Sequence, residues 1–80
     1  MYSTHVGQSV RNGFNRKAAY HAAFIATKDG IRNISIFDGD ELEAKVVVKS
    51  NGGVLIWTPD VTKKWECSKF FGEVAQNGLA

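Results

Sequence analysis

Five of the eight glycines in this 80-residue chain directly follow an Asn or Asp, at Asn12-Gly13, Asp29-Gly30, Asp38-Gly39, Asn51-Gly52 and Asn77-Gly78. Such dipeptides tolerate the positive φ that tight turns require and that other residues reach only at a steric cost. They divide the chain into short segments, and the segments between them read as strands.

From Glu41 onward, Leu42, Ala44, Val46 and Val48 alternate with Glu43, Lys45, Val47 and Lys49, the period of a half-buried strand. A two-residue turn at Asn51-Gly52 then sets Val48 opposite Leu55 and Val46 opposite Trp57, which keeps the apolar face continuous. A three-residue loop would turn Leu55 and Trp57 to the other side, because one residue of slip inverts a strand. The same continuity argument favours a three-residue loop at Asp38-Gly39-Asp40, pairing Ile36 with Leu42 and Ile34 with Ala44. A two-residue turn at Asp29-Gly30 pairs Ile25 with Ile34 and Ala23 with Ile36.

The resulting expectation is a mainly β domain. It has an antiparallel meander of four or five strands, open or curled into a small barrel, and a short C-terminal helix. The alternative is α+β, with residues 16–28 as a helix packed on a three- or four-stranded antiparallel sheet. That segment, RKAAYHAAFIAT to Thr27, holds five alanines, Asn15 stands where a helix cap would, and Gly30 lies just past the end. The register argument places residues 20–27 in a strand instead. Residues 1–15 read as a flexible basic arm or a hairpin turning at Asn12-Gly13. Val61, Trp65 and Cys67 suggest a further strand, and the spacing of Cys67, Phe70, Phe71 and Val74 suggests a helix capped by Ser68 and stopped at Asn77-Gly78.

Eighty residues make one domain. The single cysteine, Cys67, excludes an internal disulfide and fits a reducing compartment, so a cytoplasmic protein is expected, in the host cytoplasm if it is viral. No window approaches the roughly 20 apolar residues of a membrane helix, and no membrane partner is expected. The net charge of +2 is unevenly spread: residues 1–28 carry four cations and no acid, and residues 29–43 carry five acids against Arg32. A dipolar chain favours oriented docking over adhesion to a polyanion.

His5, His21 and Cys67 stand too far apart in sequence to form the close ligand pairs of a zinc site, and no metal or cofactor is expected. The run Asp38-Gly39-Asp40-Glu41-Leu42-Glu43 lacks the ligand spacing of an EF-hand. No serine lies in a nucleophile elbow and no glycine-rich phosphate loop precedes a helix, so the chain is expected to be non-catalytic.

What remains is binding. An adaptor or inhibitor of a larger protein, of the small stand-alone kind that viruses and mobile elements encode, is expected to use the acidic tip (Asp38, Asp40, Glu41, Glu43). A second apolar patch, Val47, Val54 and Ile56, would join it, and that patch also raises a homodimer as a partner. The alternative is a single- or double-stranded nucleic-acid-binding β-barrel. It would use Arg11, Arg16, Lys17, Lys45, Lys49, Lys63, Lys64 and Trp65, with cations on the phosphates and rings under the bases.

Overall fold

Asn15 and Gly30 frame the first helix. The Asn15 side chain accepts from the Ala18 amide at 2.8 Å and caps α1 (Arg16–Lys28). At the other end the Gly30 amide donates to Thr27 and the Ile31 amide to Ala26, both at 3.1 Å, with Gly30 at φ +80°. This is the reciprocal closure of a Schellman motif, and the half-buried Ile31 packs on the core behind it. The helical reading of residues 16–28 therefore holds, and the strand over 20–27 does not form. Alanine propensity and two good caps outweigh the two-residue turn, and Ile25 points outward, 42% exposed.

The computed structural model describes residues 1–78, apart from the side chain of Phe14. Besides α1 it contains β1 (Tyr2–Val6), β2 (Ser9–Phe14), β3 (Ile34–Asp38), β4 (Glu41–Val48), β5 (Val54–Trp57) and, after a 3-10 turn at Val61–Lys63, α2 (Lys64–Asn77). The strands form one open antiparallel sheet in the order β2-β1-β3-β4-β5. The α+β architecture is thus mostly sheet, with a C-terminal helix as the sequence predicts. Residues 1–15 are a hairpin in that sheet and not an arm. It turns at Gly7-Gln8, and Asn12-Gly13 supplies an extra residue within β2. Among the described residues, no helix is long and apolar enough to cross a membrane.

Both helices lie on one face of the sheet. Ala19, Ala23 and Ala26 are buried along α1, and their small side chains let the helix settle against Ile34, Ile36, Ala44 and Val46. The Thr4 hydroxyl reaches up from β1 to donate to the Ala19 carbonyl at 2.8 Å. Helix α2 adds Cys67, Phe71 and Val74, with Phe70 edge-on to Tyr20 at 4.8 Å. It begins four residues before Ser68. Asp60 accepts from the amide and hydroxyl of Thr62 and starts the helical turn, so the expected strand through Val61 and Trp65 is absent. Val61 and Trp65 are 79% and 73% exposed.

Two loops differ by one residue from the expected lengths, and each difference moves side chains between faces. Between β3 and β4, Asp38 pairs with Glu41 across a two-residue turn, Phe37 with Leu42, and Ile36 with Ala44. Glu43 is the extra residue of a bulge. It turns inward beside Ala44, while Leu42 pairs with Phe37 on the outer face. Between β4 and β5, Lys49 bonds to Gly53 and closes a three-residue loop, Ser50-Asn51-Gly52, with Gly52 at φ +88°. Val46 then pairs with Ile56 and Val47 with Leu55. Ile56 is core, 6% exposed, while Leu55 and Trp57 face solvent.

The register makes a direct prediction for unfolding by denaturant. Ile56→Ala is expected to cost about 2–4 kcal/mol, and Leu55→Ala less than about 1 kcal/mol. A larger loss at Leu55 than at Ile56 would restore the two-residue loop.

Candidate functional site

The bulge places a carboxylate where three elements meet. Glu43 Oε1 accepts from the Tyr2 hydroxyl of β1 at 2.8 Å. Its Oε2 accepts from the Tyr20 hydroxyl of α1 and from Arg16 Nε at 3.1 Å. Arg16 continues to Glu66 of α2 at 2.7 Å and lies 4.6 Å from the centre of the Phe70 ring. Burial by itself would raise the Glu43 carboxyl, but the hydrogen bonds from Tyr20 and Tyr2 and the charge of Arg16 outweigh it and hold the group below the usual range. Burial and the same carboxylate push both tyrosines up, so they remain neutral donors. Glu43 is therefore an ionised anchor and not a free contact residue, which corrects its assignment to an exposed acidic tip.

The rest of that tip borders a cleft of about 530 Å³. Asp38, Glu41, Leu42 and Glu43 line it from the β3–β4 hairpin, and Pro59, Asp60 and Lys63 from the segment before α2. Asp40 is exposed at the turn itself. Among the described residues, no group of His, Cys, Asp and Glu is arranged to hold a metal ion.

The larger feature is the outer face of the sheet, opposite both helices. Cross-strand pairs run across it as Val10, His5, Ser35, Lys45 and Trp57, one from each strand. A second apolar row sets Phe37 beside Leu42, and a third sets Val47 beside Leu55. His5 stacks on Phe37 with ring centres 4.4 Å apart, and the Lys45 ammonium lies 5.7 Å from the Trp57 ring. Val10, Val47, Leu55 and Trp57 are each 43–49% exposed. By strand alternation, no acid among the described residues faces outward here, and Lys49 continues the row of Lys45 and Val47.

The residues singled out from sequence are thus redistributed. Val47, Lys45 and Lys49 share the open face. Val54 lies on the helix side at the end of β5, and Ile56 is inside the core, so the Val47/Val54/Ile56 patch does not exist. Arg16 is committed to its two carboxylates. Arg11 is on β2 opposite Thr4, Lys17 on α1, Lys63 at the cleft, and Lys64 and Trp65 at the start of α2, so these cations do not form one surface. Sequence reasoning missed Leu55 and Trp57 as surface residues. The available signal was Gly52 closing the run Ser50-Asn51-Gly52, where a three-residue loop needs its left-handed residue. Nothing in the pattern marked Tyr2 or Tyr20.

Comparison with known protein families, with curated proteins and with solved structures finds no match to this chain.

Glu43→Gln tests the anchor. Loss of the charge leaves Arg16 and two tyrosines poorly paired and is expected to cost about 2–3 kcal/mol at pH 7. Because the folded-state carboxyl is lowered, its contribution is complete above the ordinary value of 4.5 and fades as pH falls through the folded value. Urea unfolding from pH 7 to pH 3 is expected to show the variant losing less stability than the wild type. Parallel losses would remove Glu43 from the acid response.

Proposed function

We propose that this chain is a non-catalytic protein-binding module, an adaptor or inhibitor, whose contact surface is the outer face of its sheet. One observation carries the reading. Four half-exposed apolar residues from β2, β4 and β5 stand on a face that neither helix covers. Scattered surface hydrophobics are ordinary, but an apolar sheet face flanked by polar groups is typical of an interaction site. The sheet is fixed from behind by the Glu43 cluster and the alanine-lined helix contact, so the face is preorganised and little ordering accompanies binding.

Nucleic-acid binding is the second reading, favoured by the Lys45–Trp57 cation–ring pair. The first is preferred because the exposed groups on the face are mainly aliphatic. At Leu42 the face also runs into a cleft where four carboxylates, Asp38, Glu41, Glu43 and Asp60, stand against Lys63, an excess that would repel phosphates.

A photo-crosslinking amino acid at position 47 or 55, introduced in the organism that carries the protein, is expected to yield discrete protein adducts. The same group at Gln76, exposed on α2, is expected to yield none of them. Adducts from Gln76 alone would overturn the reading, and adducts abolished by nuclease would favour the second one.

A further inference from the structure

From the charge pattern of the open face we infer the partner element that fits it: an amphipathic helix whose apolar stripe is bounded by a carboxylate at each end. The inference rests on the protein-binding reading and adds the chemistry of the partner. Lys45 projects from β4 on the outer side and Lys49, the residue just past its end, continues that row, with Val47 between them and Leu55 beside Val47. Four residues of strand separate the two ammonium stems by about 13 Å. A helix advances about 10.5 Å over seven residues, and flexible lysine side chains cover the difference. Carboxylates at helix positions i and i+7 therefore reach Lys45 and Lys49, while apolar residues at i+3 and i+4 meet Val47, Leu55 and Trp57.

The backbone of the sheet selects a helix over an extended strand. The β4 ladder is saturated by β3 and β5, so nothing on this face can bond to a peptide backbone laid across it. An extended segment would bury unpaired N–H and C=O groups, whereas a helix satisfies its own. Charge also disfavours a second copy of the chain. Two copies face to face would gather four lysines with no carboxylate of the described residues between them.

The test uses the full chain carrying Trp65→Phe, so that fluorescence reports Trp57 alone. Two model amphipathic peptides of about 18 residues share a leucine stripe and differ in having Glu or Lys at positions i and i+7, the two ends of that stripe. The acidic peptide is expected to shift Trp57 emission to the blue saturably and to bind about five- to tenfold more tightly than its basic twin. The double variant Lys45→Glu, Lys49→Glu, altered only at exposed positions, is expected to reverse that order. Equal or preferred binding of the basic peptide to the wild type would overturn the inference, as would an unchanged order in the variant. Displacement by oligothymidylate, or a face-to-face dimer in sedimentation, would overturn it too. If crosslinks from positions 47 and 55 still capture protein when the peptides are not distinguished, the binding face stands and its acidic-helix partner falls. If those crosslinks fail, both fall.

Discussion

The carboxylate of Glu43 is the point on which the arrangement depends. It sits on the sheet, yet its three donors come from β1 and α1, and Arg16 extends the contact to Glu66 of α2. Such a cluster contributes less net stability than its bond count suggests, because each charge had to leave water. Its value lies in specification. A register that turned Glu43 outward would leave the buried Tyr20 and the half-buried Arg16 without this acceptor, and that cost falls on every misaligned pairing of β3 with β4.

The same bulge governs the other side of the sheet. By admitting one extra residue it places Leu42 outside, next to Phe37, while Ala44 and Val46 remain inside. The three-residue loop after β4 adds a second parity change and brings Leu55 and Trp57 to the surface beside Val47 and Lys45. The inner layer is left with small and β-branched side chains that admit two helices at close range, and much of the large apolar area stays in solvent. For a chain of 80 residues this is a costly arrangement, since so much apolar surface is withheld from its own core. That is the physical reason for proposing a partner for this surface.

The turn glycines were legible in the sequence. All five glycines that follow Asn or Asp adopt positive φ, and among the described residues only Gly7 joins them. The lengths of the loops they sit in were not legible, because an apolar pattern cannot separate a bulge from a longer turn when either face offers apolar residues. Leu42, Leu55 and Trp57 look like core residues in any local window. The exclusion of Leu42 goes with the Glu43 contacts to Tyr2, Tyr20 and Arg16 from distant parts of the chain, and that of Leu55 and Trp57 with the length of the loop after β4. Residues 16–28 carried both signals, and the caps at Asn15 and Gly30 proved the more reliable one. Lys45 and Val47 were correctly placed together on the outer face of β4, with Lys49 just past its end, since alternation within one strand is insensitive to its neighbours' register.

The directions in which Glu43 and Trp57 point define the two faces of the sheet, and nuclear Overhauser contacts in solution measure them directly. Glu43 side-chain protons should show contacts to the rings of Tyr2 and Tyr20, and the Trp57 indole should show contacts to the Lys45 methylenes. Contacts from the Trp57 indole to the methyls of Ile34 and Val46, with none from Glu43 to either tyrosine, would invert both faces and contradict the account.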